Sequence, residues 1–119
     1  MNGYVKLPLG GKDRGFKFDI KAVGAILKAL SISVDNLSKA MTDNPFEVYP
    51  IIITEGLKRN AEKSKSDLPD EDEVIEWIEK DGILSENVLN IIKAFGDSIV
   101  SLLPQQKTVP NGKAKVVKK

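Results

Sequence analysis

Three stretches hold residues whose types and spacing could do chemistry. Gly10 to Leu27 reads GGKDRGFKFDIKAVGAIL. A glycine-rich turn can cradle a phosphate, but that needs glycines at set positions, a helix amino end aimed at the anion, and Lys-Ser/Thr following. Here the glycines lead into FKFD, a strand pattern, and a helix starts only near Ile20. The turn reads as the tip of a hairpin, not a cradle. Asp67 to Glu79 holds seven acids: Asp67, Asp70, Glu71, Asp72, Glu73, Glu76 and Glu79. A calcium loop needs alternating acids, a central glycine and a distal glutamate, and this segment lacks the glycine. Acids crowded into the first turn of a helix instead favour the positive end of its macrodipole. A docking face for a basic partner is the functional alternative.

A third stretch, GDSI at Gly96 to Ile99, resembles the serine that carries phosphopantetheine in acyl carrier proteins. There the serine opens a helix. Here Asp97 and Ser98 fall late in an apolar stripe running from Val88 to Leu103, so an exposed Asp-Ser pair on a polar helix face is expected. The chain of 119 residues has no histidine and no cysteine. That removes the commonest general base, the commonest metal ligand and all disulfides. Carboxylates, lysines and hydroxyls remain, and no two acids fall into a recognisable paired arrangement. No catalytic, cofactor-binding or metal site is expected, and no cofactor.

The elements that position these residues follow from periodicity. Val5, Leu7 and Leu9 alternate with Lys6 and Pro8, and Phe16 and Phe18 with Lys17 and Asp19. Period two marks half-buried strands, so residues 4–19 form a hairpin. Ile20, Val23, Ile26, Leu27 and Leu30 then fall on one helical face. Ser33 is placed to cap a short second helix carrying Leu37 and Met41. Asn44-Pro45 opens a third, Asp70 caps a fourth with Gly82 past its end, and Ser85 caps a fifth that Pro104 stops. The expected helices are about 20–30, 34–41, 45–60, 70–81 and 86–103, with Lys58 to Asp67 a helix end and loop. The fold class is α+β, mostly α: an amino-terminal β-hairpin packed on a bundle of about five helices, one globular domain over residues 1–103. Residues 104–119 form a disordered basic tail.

The net charge of +1 divides unevenly. Five of the 18 basic residues lie from Pro104 onward, leaving 13 against 17 acids in the body, a net of −4. No apolar run approaches the roughly 20 residues of a membrane span, and MNGYVKLPLG has no apolar signal core. A protein of intracellular type with no membrane partner is expected. The acidic body argues against nucleic acid, which wants a basic folded face.

The third helix is unusual. Phe46, Tyr49, Ile53 and Leu57 form one stripe, while Val48, Ile51 and Ile52 fall opposite. A helix apolar all round is either enclosed by its own chain or shared with another. Pro50 is expected to kink it. Open hairpin edges also invite pairing. The expected partner-binding residues are Val48, Ile51, Ile52, Tyr4 and Phe16.

The stretch G-x-x-R-G-F-K-F-D-I-x-A-V at Gly11 to Val23, then FEVYPIIITEGL, then PDEDEVIEWIE, then a long last helix, resembles the tail assembly chaperones of long-tailed bacteriophages and gene transfer agents. The resemblance spans roughly residues 3–103, and Glu55-Gly56-Leu57 matches a small-Gly-Leu element loosely. It implies a non-enzymatic, oligomerising chaperone made in the host bacterial cytoplasm and absent from the mature virion. Its partners would be the tape measure protein and the tail tube protein. A longer frameshifted form, continuing past Lys118-Lys119, is a further implication. The alternative is a small nucleic-acid-binding or regulatory module using the lysine-rich carboxy-terminal segment.

Overall fold

A computed structural model describes residues 3–64 and 68–103. Strands β1 (Tyr4–Leu9) and β2 (Lys12–Lys17) pair antiparallel, with Leu9 opposite Lys12 and Val5 opposite Phe16. Gly10 and Gly11 have φ of 65° and 98°. That is the two-residue primed turn whose twist matches the strands. Leu9 and Lys12 therefore close the ladder as a hydrogen-bonded pair, and the alternation continues to Phe18, whose amide donates to the Gly3 carbonyl at 2.8 Å.

Five helices follow: α1 (Ile20–Leu30), α2 (Leu37–Asp43), α3 (Pro45–Ser64), α4 (Glu71–Asp81) and α5 (Glu86–Leu102). The expected fold class holds: a hairpin on a five-helix bundle. Three helices open on side-chain caps, and those of α4 and α5 are the ones the sequence predicts. Asp19 opens α1 by accepting from the Ala22 amide. Asp70 and Glu73 form a reciprocal capping box on α4, and Ser85 accepts from the Val88 amide on α5. The short second helix differs. Ser33 makes no backbone cap, its Oγ accepting from Asn36 Nδ2 instead, and residues 34–36 form a 3-10 turn before α2 begins. The third helix continues to Ser64 rather than stopping near residue 60. It is assigned without a break through Pro50, the sixth residue of the helix, whose missing N–H leaves the Phe46 carbonyl without its usual i+4 donor. Residues 65–67, the expected loop, and 104–119, the expected basic tail, lie outside the described residues.

The core is one cluster. Leu9, Phe16, Phe18, Ile26, Ile52, Ile53, Val74, Ile78, Val88, Ile91 and Phe95 are buried in it. Phe18 meets the edge of Phe95 with centroids 5.4 Å apart and stacks on Phe16 at 6.3 Å. Helix α3 is the hub, packing on β2, α1, α4, α2 and α5. Gly56 lets it approach: a Cβ there would come within 2.4 Å of the Phe18 ring.

A single carboxylate fastens the hairpin tip. Asp81 Oδ2, at the end of α4, accepts from the Gly10 amide at 3.0 Å and from Asn87 Nδ2 at 2.9 Å. These bonds hold Asp81 below the usual aspartate range, Asn87 contributing most and Gly10 next. The glycine turn does hold an anion, the protein's own. Beside it the Arg14 guanidinium lies 3.5 Å from the Trp77 ring centroid, and its Nε donates to the Leu9 carbonyl at 2.7 Å. At the other end of the hairpin, Asp19 accepts from Arg59 Nε at 2.8 and 3.0 Å, tying the start of α1 to α3.

Candidate partner-binding surface

Three of the five expected partner-binding residues belong to the core. Phe16 and Ile52 are fully buried and Val48 is 2 % exposed. The reason is the central place of α3: with elements on several sides, its second apolar stripe is consumed within the chain. Ile51 is half-buried and lines a cleft with Thr54, Glu55, Lys58 and Pro69. Thr54 Oγ1 in that cleft is the one buried side-chain polar atom among the described residues with no hydrogen-bond partner. Tyr4 is exposed on β1.

The strand edges are less inviting than expected. The register turns the backbone groups of Lys6 and Pro8 outward from β1, and those of Asp13 and Gly15 outward from β2. Pro8 has no N–H to give a third strand, and Lys6 brings a charge. Edge prolines and lysines are the usual means of blocking strand addition. On the β2 side, Gly15 sits against Asn60 of α3, where a Cβ would come within 2.6 Å of the amide nitrogen.

Ser98 also departs from expectation. Asp97 is exposed and ion-paired with Lys93 at 3.3 Å, but Ser98 is buried. It lies three residues after Phe95 and seven after Ile91, on the inward stripe, where a small side chain suits close packing. A buried mid-helix hydroxyl is no attachment point for a carrier group.

The free apolar surface lies elsewhere. Phe46, in the first turn of α3, is 74 % exposed. It flanks a groove of about 370 Å³ with Pro50, Ile75, Ile78, Glu79, Gly82 and Ile83, formed between the amino-terminal part of α3 and α4. Leu84, next in the chain, is 63 % exposed. Helix α4 is strongly acidic, with Glu71, Asp72, Glu73, Glu76, Glu79 and Asp81 against Lys80 alone, and Glu79 is the acid that lines the groove. Lys80 is turned to the hairpin tip, its Nζ 3.2 Å from where a Gly11 Cβ would stand. Glu47, exposed beside Phe46, adds a further acid and accepts from Asn44 Nδ2 at 2.6 Å.

Phe46 escaped the sequence reading because it shares a stripe with Tyr49, Ile53 and Leu57, all three buried. The residues of α3 that meet the hairpin include Gly56, Leu57, Arg59, Asn60 and Ala61, in its second half. A 20-residue helix spans about 30 Å, so its first turn overhangs. The usable signal was position in the helix, not face.

Among the described residues no group of histidine, cysteine, aspartate or glutamate is placed to hold a metal ion, and no helix is long and apolar enough to cross a membrane. No protein-family model, curated protein or solved structure matches the chain.

Proposed function

We propose that this chain is a non-enzymatic assembly chaperone that binds the tape measure protein of a long-tailed bacteriophage while the tail tube polymerises around it. The observation that carries the reading is Phe46: a large aromatic, mostly in solvent, on the rim of an apolar groove in a chain whose other aromatics of the core are enclosed. Exposed aromatic surface beside a preformed groove is what a transient protein contact needs. The element order supports the same reading, because hairpin, first helix, short helix, central helix, acidic-start helix and long last helix follow one another as the resemblance implies. The groove is small, so each contact is weak, and a chaperone that must leave its client is served by weak contacts made many times. Self-association into oligomers would multiply them, and the host cytoplasm is where the work would be done.

The test is co-expression with the tape measure protein of a long-tailed bacteriophage. The chaperone reading expects that protein to be soluble and to copurify with this chain, and to aggregate when expressed alone. A client equally soluble without this chain, or one that never copurifies with it, contradicts the reading.

A further inference from the structure

We propose that the groove between α3 and α4 receives an amphipathic helix whose apolar stripe is flanked by lysines or arginines. The proposal deepens the chaperone reading and rests on it, since it states which client segments that surface takes.

Helix rather than strand follows from hydrogen bonding. An extended peptide needs backbone donors and acceptors beside it. The groove walls are two helices, whose own backbone groups are engaged in their turns, and no strand borders it. A helix satisfies its own backbone and asks only for apolar contact. The blocked β1 edge, with Pro8 outward, points the same way. Pro50, Ile75, Ile78 and Ile83 form the apolar walls, and Phe46 is positioned to lie along the incoming helix.

The flanking charge follows from complementarity. Glu79 lines the groove. Asp72 stands three residues before Ile75 in the first turn of α4, Glu47 follows Phe46 in the first turn of α3, and Glu71 lines the neighbouring cleft with Ile51 and Lys58. None of these four carboxylates forms an ion pair with a described lysine or arginine at contact distance. A client helix with acidic flanks would meet like charge, and one with basic flanks opposite charge.

The full-length chain tests this with two designed helical peptides of about 18 residues. They share one apolar stripe and differ only in flanks, lysine and arginine in one and glutamate in the other. Fluorescence anisotropy at about 50 mM salt is expected to show roughly tenfold tighter binding of the basic peptide, a gap that narrows at about 500 mM. Phe46→Ala is expected to weaken the basic peptide roughly tenfold without unfolding the chain, since that side chain is in solvent. Glu79→Lys, the acid that lines the groove, is expected to remove most of the preference. Equal binding of the two peptides overturns the proposal, as does an unchanged affinity in Phe46→Ala. A preference that appears only after residues 104–119 are removed would give the groove to the chain's own lysines and also overturn it. Peptide binding needs no client protein, so a failure here is separable from a failure to copurify the tape measure protein.

Discussion

The Gly10 amide and the Asp81 carboxylate, 71 residues apart in sequence, meet at 3.0 Å. The contact joins the hairpin turn to the end of α4, and through Asn87 to the first turn of α5. The rest of the hairpin is a two-stranded sheet, a unit marginal by itself in water, so its docking depends on such fastenings as well as on the buried Phe16 and Phe18.

Gly10→Ala tests the fastening sterically. The residue has φ of 65°, and an added Cβ would lie 2.7 Å from Cβ and Cγ of Trp77. The expected loss is about 2–4 kcal/mol, from left-handed strain plus overpacking, read as a lower midpoint in urea. A midpoint unchanged within error would mean that the tip is not docked as described.

Asp81 and Asp19 set the acid limb of stability. Both carboxyls are held below their ordinary values. For Asp19 burial opposes this as the largest single effect, and the Ala22 amide and Arg59 together outweigh it. A depressed carboxyl contributes stability that is complete above its unfolded value, near 4, and is lost as pH falls through the lower folded value. Unfolding free energy is therefore expected to decline below about pH 4, and Asp81→Asn should flatten that decline. The check is a set of urea titrations between about pH 2.5 and 7, and identical acid limbs in the two proteins would count against the Asp81 contact.

Three helical glycines should separate by environment. An added Cβ at Gly24 of α1 or Gly96 of α5 meets nothing within 4 Å, whereas at Gly56 of α3 it would come within 2.4 Å of the Phe18 ring. Alanine at the first two should stabilise by about 0.5–1 kcal/mol through lower backbone entropy in the unfolded chain. At Gly56 the same gain is outweighed by overpacking, and a net loss of about 1–3 kcal/mol is expected. Thermal melts of the three variants check the signs, and a stabilised Gly56→Ala would contradict the packing of α3 on the hairpin.

Ile52→Ala should cost about 2–5 kcal/mol, because its side chain is fully buried in the core. Had the second stripe of α3 served a partner, the monomer would tolerate the change, so chemical denaturation of the isolated chain distinguishes the two roles.

The sequence carried most of the fold. Asp70 and Ser85 announce their helices because a short acceptor side chain ahead of an apolar stripe has few other uses, whereas Asp19, read as part of the strand alternation, caps α1 unannounced. Gly10-Gly11 between two period-two runs announces the hairpin in the same way. What it did not carry is which apolar residues stay outside. Stripe membership places Phe46 with buried Tyr49 and places Val48 and Ile52 opposite, yet the structure encloses the second pair and leaves Phe46 in solvent. Periodicity reports the face of a helix, and it is silent on how far along the helix its neighbours reach. The open-edge expectation likewise overlooked Pro8, since a proline in a strand faces its missing donor outward.

The most direct measurement of the central claim is the affinity of the Phe46→Ala chain for the proposed client, a tape measure protein, taken together with its thermal midpoint. The account predicts a midpoint close to that of the parent chain and client binding weakened by roughly tenfold. Full client affinity in a folded Phe46→Ala chain would contradict it.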